Sequence, residues 1–285
     1  MSGVSPGVTV LVPAYNAAPE LADCLASLER TLPPEASVLV CDDASTQPAV
    51  AAVAERFCRR RPRSRHVRRE RNLGFVGNVN LGLRESTPND VVLLNSDTIT
   101  TIGWLQRLRT AAAGERVATA TPWSNNAEIC SFPAFCEANP EPDDPERIAA
   151  AAALCAPEYP ELPTGVGFCM YVRRDALEAL GDFDAATFGR GYGEENDFCL
   201  RAAGHGWRNV LCDDAYVVHR GNASFGPAGM GPGGENLRRL NARYPGYNAL
   251  VAGFIMADPL RPLRHRLAQR LEETAPPRPQ LDLFA

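Results

Sequence analysis

Short apolar runs separated by segments of helical period set the plan of this chain. Residues 8–12 (VTVLV) and 37–41 (SVLVC) are continuous β-favouring runs, the pattern of strands buried on both faces. Between them, Leu21, Leu25 and Leu28 fall on one helical stripe over 21–28. The alternation continues with a helix over 49–60, a short strand at 66–69, a helix over 77–85 and a strand at 91–94. Strands alternating with helices of this length predict an α/β fold with a mostly parallel sheet covered by helices. Residues 123–163 then loosen into prolines and acidic residues around one alanine-rich helix at 145–155. A second ordered block predicts a strand at 167–173, a helical turn at 175–180, a helix at 194–203 and a strand at 215–218. A glycine-rich stretch, 226–234, reads as a linker or a lid. Helices over 235–243, 247–257 and 260–273 follow, before a frayed proline-rich end.

In a parallel sheet, ligands collect beyond the carboxyl ends of the strands, so the residues there carry the chemistry. The 91–94 run ends in Asn95-Ser96-Asp97. Alternation points Asn95 and Asp97 the same way, where an acid can hold a divalent metal and the metal a diphosphate. Asp97 or Thr98 equally suits the N-cap of a helix around Trp104. The first strand ends in Pro13-Ala14-Tyr15-Asn16, without the glycine pattern of a dinucleotide or P-loop site. There Pro13 and Asn16 suit a turn and a cap as well as a ligand, and Tyr15 offers a flat ring. The second strand ends in Asp42-Asp43, two carboxylates that need solvent or partners. One of them is placed to accept from a base N–H or a ribose hydroxyl. Asn72 and Gly74 enter the next helix with an amide side chain and room for close approach. Arg71, beside them, is a phosphate candidate at the end of an arginine-rich stretch, 59–71.

The second block carries Gly193-Glu194-Glu195-Asn196-Asp197 and, four residues after Asp197, Arg201. Asp197 and Arg201 can pair across one helical turn, leaving Glu194 and Glu195 at the helix mouth. Adjacent acids there either stabilise the helix dipole or include a general base raised by its neighbour. His219 ends the last predicted strand as a structural histidine or a ligand.

Bulk properties narrow the class. A net charge of −5 and the lack of aromatic residues among the 59–71 arginines argue against a nucleic-acid binder. Nine scattered cysteines without metal spacing predict free thiols in a reducing cytoplasm. Asn222-Ala223-Ser224 matches a glycosylation acceptor only by chance in that compartment. No apolar stretch approaches membrane-span length, and the N-terminus shows no basic-then-apolar signal.

Taken in order, Val-Pro-Ala-Tyr-Asn (12–16), Asp-Asp-Ala-Ser (42–45), Asn-Leu-Gly-Phe (72–75), Leu-Asn-Ser-Asp (94–97) and Gly-Glu-Glu-Asn-Asp-Phe-Cys-Leu-Arg (193–201) resemble family 2 glycosyltransferases of the GT-A fold. The likeness is strongest to bacterial surface-polysaccharide enzymes, the rhamnosyltransferase-like group included. It implies a catalytic domain over 1–225, with a nucleotide-binding half (1–122) and an acceptor-binding half (123–225), and a helical extension over 226–285. It implies inverting transfer of a sugar from a nucleotide-diphosphate donor, UDP- or dTDP-linked, to a hydroxyl acceptor. Asp97 would then close a DXD-like motif and bind Mg2+ or Mn2+, with Asn95 in place of the first acid, Ser96 between them and His219 as helper. Asp43 would contact the base, while Pro13, Tyr15, Asn16, Arg71, Asn72 and Gly74 complete the nucleotide site. Glu195 would be the base, with Glu194 beside it; Trp123, Asn125 and Gly165 would meet sugar or acceptor. The basic 260–270 segment would touch an anionic membrane carrying a lipid-linked acceptor, at the inner face. The competing classes are a nucleotidyltransferase, which would show a glycine-rich basic loop after the first strand, and an inactive sugar-nucleotide-binding protein.

Overall fold

The computed structural model describes residues 7–189, 191–221 and 234–274. Positions 226–233 of the glycine-rich stretch, the Asn222 sequence and the proline-rich end lie outside the described residues. β1 (Val8–Ala14) is buried along its whole length, as a strand paired on both edges and covered on both faces must be. α1 (Ala18–Thr31) turns Leu21, Leu25 and Leu28 inward on the expected stripe. β2 (Ser37–Asp42), α2 (Pro48–Arg60), β3 (Ser64–Arg68), α3 (Phe75–Glu85) and β4 (Asp90–Leu94) continue the alternation. Next come β5 (Thr98–Thr100), α4 (Trp104–Ala112), β6 (Val117–Trp123), a single 3-10 turn (Glu128–Cys130) and α5 (Pro145–Ala153). β7 (Cys169–Val172), α6 (Arg174–Leu180), α7 (Ala185–Phe188), α8 (Glu194–Gly204) and β8 (Arg208–His219) complete the sheet and its cover. The extension is α9 (Gly234–Arg243), α10 (Tyr247–Ala257) and α11 (Arg261–Glu273).

The strands form one eight-stranded sheet in the order β3-β2-β1-β4-β7-β6-β8-β5. β3, β2, β1 and β4 run parallel, as do β6 and β8. β7 is antiparallel to both β4 and β6, and β5 to β8. Period-2 alternation divides the core between the faces: Val8, Val10 and Val12 join α1, α2 and α4 on one side. Leu11 meets Val79, Leu83 and Phe198 on the other.

β5 and β6 were not expected from the sequence, and β8 begins seven residues before the predicted 215–218. In β6 the alternation is carried by Thr119 and Thr121 among alanines, too weak an apolar signal to stand out. In β8 the polar residues are buried and satisfied. Asn209 accepts from Thr119 Oγ1 at 2.9 Å, and Asp213 accepts from the Tyr159 amide at 3.0 Å.

α11 lies against the domain, with Leu263 and Leu267 buried and the Leu271 carbonyl accepting from Arg147 at 2.7 Å. Its Arg264, Arg266 and Arg270 pair with Asp258, Glu158 and Glu273. Three of the four arginines of the segment expected to face a membrane are therefore engaged within the protein, and Arg261 is exposed. All nine cysteines are free, and burial pushes the thiols of Cys24, Cys41 and Cys199 up to about 12.

Gly82 is where α3 presses on the sheet: a Cβ there would stand 2.1 Å from Leu11 Cδ1 and 3.0 Å from Cys41 Sγ. Gly82→Ala is expected to cost about 1–3 kcal/mol by overpacking, although alanine is the better helix former. Urea unfolding measures it, and an unchanged midpoint would show that this face yields freely.

Candidate active site

The carboxyl ends of β2, β1 and β4 lie side by side, so the loops that follow them share one edge of the sheet. Pro13 sits in β1 beyond the last β1–β4 pair, Leu11↔Leu93, where its missing N–H breaks no bond to β4. Asn16, at φ 56°, does not cap its own helix. Its side-chain oxygen instead accepts from the amides of Thr46 and Gln47 at 2.9 and 3.2 Å, at the start of α2. Its own amide donates to Ser45 Oγ at 2.9 Å. The first two loops are thereby tied together, with the Tyr15 ring left exposed beside them.

The acid pair divides its work. Asp42 is fully buried; that burial alone would raise its carboxyl, but contacts with His66 and Ser45 and the Arg68 charge hold it down to about 2. Asp43 accepts from the amides of Leu73 and Gly74 at 2.8 and 2.9 Å and so shapes the turn into α3. Gly74 is needed there because φ is 77°. Asn72 closes the same turn, donating to the Asp43 carbonyl at 3.3 Å, and remains exposed. Asp43, expected to face a base, is thus buried and engaged by the turn, while Asn72 and Tyr15 face outward. Arg71 is exposed, whereas Arg69 is drawn inward to Glu85 and Asn78.

Asp97 is not a helix cap. Thr98 continues into β5, and the residue preceding α4 is Gly103 at φ 81°. The Asp97 carbonyl accepts from the Arg220 amide at 3.0 Å, fastening the β4–β5 turn to the end of β8. This brings His219 Nε2 to 3.6 Å from Asp97 Oδ1. His219 Nδ1 lies 2.6 Å from the Asn126 carbonyl, which can only accept, so Nδ1 carries a hydrogen and Nε2 is the ring nitrogen turned toward Asp97. Among the described residues no group of three or more metal-binding side chains occurs. A carboxylate and an imidazole nonetheless suit Mg2+ or Mn2+, hard cations that complete their shells with waters and phosphate oxygens. Ser96 is buried and Asn95 half-buried; the Asn95 amide donates to Phe168 O at 2.8 Å.

The side chains expected to meet sugar or acceptor have structural partners. Asn125 imitates a neighbouring strand for His219, accepting from its amide at 2.9 Å and donating to its carbonyl at 3.0 Å. Trp123 is fully buried, with its indole N–H on the Asp213 carbonyl at 3.1 Å, so it packs the core. Gly165 is buried where a Cβ would come within 3.0 Å of Met170 Sδ and Thr121 Oγ1.

Glu194 and Glu195 open α8 after Gly193, at φ 113°. Glu194 is 4% exposed and its Oε2 has no hydrogen-bond partner. Burial, then the Glu195 charge, raises its carboxyl well above the usual range. Burial also raises Glu195, and the Glu128 charge adds to this; the Gly193 amide, 3.3 Å from Oε2, opposes it. Tyr192 joins the two ends of the site. After burial, the charges of Glu195, Glu194, Asp97 and Glu128 together raise its hydroxyl. Sequence reasoning passed over Glu128, an exposed residue at φ 47° whose carboxyl the surrounding protein raises. It lies in the loosely patterned stretch, and no local motif marks it.

The extension secures this helix. Asp197 is fully buried and pairs with Arg201 at 2.8 Å, as its spacing suggests. It also accepts from Arg243 at 2.7 Å and Tyr244 Oη at 2.9 Å, both contributed by the segment that closes α9. Asn236 donates to the carbonyls of Phe188 and Gly191, holding the approach to α8 from the other side.

Residues 9–181 match the family described as Glycosyl transferase family 2, and the chain belongs to it. The nucleotidyltransferase alternative is thereby set aside. An N-acetylglucosaminyltransferase of Bradyrhizobium diazoefficiens is 26% identical over 75% of this chain and 45% of its own length. An uncharacterized protein of Mycobacterium tuberculosis (strain ATCC 25618 / H37Rv) is 29% identical over 54% of this chain and 58% of its own. The chain thus spans about half the length of these relatives. In fold it resembles the Pyrobaculum calidifontis mannosyltransferase solved with GDP-Man and Mn2+ (TM-score 0.55, 19% identity, 95% and 87% coverage). It also resembles S. aureus TarS with UDP-GlcNAc (TM-score 0.56, 18% identity, 76% and 59% coverage). At such identities these likenesses establish the GT-A fold of the chain.

Glu194 binds its proton more tightly folded than unfolded, where a glutamate titrates near about 4.3. Its contribution is therefore complete below that pH and is lost as pH rises toward the folded pKa. Glu194→Gln removes this loss. Its urea midpoint should exceed that of the unaltered chain at about pH 8 and converge with it near about pH 4. The same gap at both would show that Glu194 holds no proton.

Proposed function

We propose that the protein is an inverting glycosyltransferase that moves a sugar from a nucleotide-diphosphate donor, UDP- or dTDP-linked, to a hydroxyl acceptor of a bacterial surface glycan. The observation that carries this reading is that Phe168 stacks on His219, the neighbour of Asp97, with ring centroids 5.1 Å apart, while a Cβ on the adjoining Gly167 would lie 3.6 Å from Glu195 Cγ. A diphosphate site and a base thus lie near one another, as transfer between two substrates requires. The order of sequence motifs supports the surface-polysaccharide, rhamnosyltransferase-like branch.

The nucleoside would lie along the β1 and β2 loops, with its base against the Tyr15 ring and Asn72 and its diphosphate toward Arg71 and the Asn95–Asp97 turn. Asp97 and His219 would hold the divalent cation, whose charge offsets that developing on the leaving diphosphate. Glu195 takes the proton of the acceptor hydroxyl as its oxygen bonds to the anomeric carbon. The bond to the diphosphate breaks on the opposite face, and the configuration inverts. Glu194, protonated and buried, keeps a second negative charge from the base and donates toward it. A base so placed contributes about 10² to 10⁴ in rate.

The test is a donor-hydrolysis and transfer screen over nucleotide sugars with and without Mn2+. Turnover should fall to background in EDTA and return with Mn2+, and Asp97→Asn and His219→Ala should each raise the Mn2+ needed. Turnover undiminished in EDTA would end the metal role of this pair. Transfer to a hydroxyl acceptor should fall by about 10² or more in Glu195→Gln; full activity there would pass the base role to Glu194. Because Glu195 must be unprotonated, the acid limb of the rate profile should lie above about pH 4.3. Glu128→Gln, by removing a negative charge that raises Glu195, should move that limb to lower pH. A limb that stays in place would separate Glu128 from the base.

A further inference from the structure

We propose that Arg68 is a positioning residue of the donor site, its guanidinium fork fixing the loop after β2 and, through it, the loop after β1. The inference rests on the reading of these two loops as the nucleotide site. Arg68 ends β3, the edge strand of the sheet, and is the register partner of Asp42 at the end of β2. Paired residues of parallel strands turn their side chains to the same face. One arm of the fork, Nη1, donates to Asp42 Oδ2 at 2.9 Å, and the other, Nη2, donates to the Ser45 carbonyl at 2.9 Å. The Ser45 amide donates back to Asp42 Oδ1 at 2.8 Å. Asp42, Ser45 and Arg68 thus close a circuit around Asp43 and Ala44, and Ala44 is held inside it at φ 58°. A planar guanidinium can span a carboxylate and a carbonyl at once, which a single ammonium point charge does less well.

The circuit passes its order to both outward-facing groups of the nucleotide reading. Ser45 Oγ accepts from the Asn16 amide, and Asn16 Oδ1 accepts from the Thr46 and Gln47 amides, so the segment after Tyr15 is tied to the strapped loop. Asn16 and Ala17 stand at φ 56° and 52°. With Ala44 they are non-glycine residues in a costly conformation, which persists only where its surroundings hold it. On the other side, Asp43 fixes the turn that carries Asn72. Asp42 makes the strap more than a surface ion pair, because its side chain is fully buried while that of Arg68 is 47% exposed. Removing the guanidinium would leave that buried carboxylate without its close cation. His66 Nε2, 3.7 Å from the same oxygen, makes no hydrogen bond that could replace it. The groups assigned to the chemical step belong to other elements, Asp97 to the β4–β5 turn, His219 to β8 and Glu195 to α8. Loss of the strap should therefore weaken nucleotide binding and spare the step itself.

Calorimetric titration of the full chain with UDP and with dTDP, in Mn2+, tests this beside donor-hydrolysis kinetics. Arg68→Ala should raise the nucleotide Kd, and the KM for the sugar nucleotide that the chain hydrolyses, by about tenfold. At saturating donor, kcat should stay within about twofold of the unaltered chain. Arg68→Lys keeps a charge beside Asp42 without the fork, so it should hold the thermal midpoint and still show most of the rise in Kd. Hydrogen exchange of the nucleotide-free chain needs no donor. In both variants the Asn16 and Ser45 amides should exchange faster, while those of β4 stay slow. Unchanged exchange at Asn16 and Ser45 in Arg68→Ala would overturn the strap, and faster exchange with unchanged Kd and KM would overturn its part in binding. Full nucleotide affinity in Arg68→Lys would show that charge suffices and the fork does not matter. An unaltered chain that binds neither nucleotide would end the reading of these loops as the nucleotide site, and the donor role of Arg68 with it.

Discussion

The site depends on one antiparallel ladder, β4 against β7. Val91, Val92, Leu93 and Leu94 pair with Val172, Tyr171, Met170 and Cys169, and the Asn95 amide extends the ladder to Phe168. This seam joins the parallel half of the sheet to the half that carries α8 and β8. The Phe168 ring, fixed at its end, stacks on His219 with centroids 5.1 Å apart. A slip of one residue would turn every β4 side chain to the opposite face. It would also carry Asp97 away from His219. The all-apolar burial of β4 prevents that slip, so the hydrophobic core sets the register on which two polar groups depend.

Around this seam the site concentrates features that folding alone would not favour. Asn16, Glu128 and Tyr192 all have positive φ without being glycine. Each such residue costs on the order of 1 kcal/mol or more and persists where its surroundings hold it. Glu194 and Glu195 add adjacent acids under burial. The compensation lies nearby, in Asp197 with its three partners and in the α8 N-terminus, whose dipole favours negative charge. The C-terminal extension is therefore part of the candidate site's architecture, because Arg243 and Tyr244 complete the anchoring of the helix that carries both glutamates.

The strands and helices of the first half were legible because each was either a continuous apolar run or a clear stripe. β6 and the first part of β8 were not, since their buried polar residues are satisfied by partners distant in sequence, Asn209 by Thr119 and Asp213 by the Tyr159 amide. Sequence spacing paired Asp197 with Arg201, a local contact, but could not foresee Arg243, 46 residues away. Strand ends pointed to Asp97, and motif order to Glu195 and His219. Trp123 was named only by the resemblance, which carries no information on burial; the structure bonds its indole inside the core. Glu128 carried no signal, for its place beside Glu195 arises only when the stretch after β6 folds back on α8.

The thiols lend the molecule a practical property. Seven of the nine cysteines are buried, Cys58 is half-buried and Cys136 alone is exposed. Maleimide reagents need a reachable sulfur, so they should modify Cys136 first. Its amide is bonded to the Glu128 carbonyl at 3.2 Å, which places a fluorophore on Cys136 beside the stretch that follows β6. The natural sequence thus supplies a reporter position for changes around Glu128, with no cysteine to be added or removed.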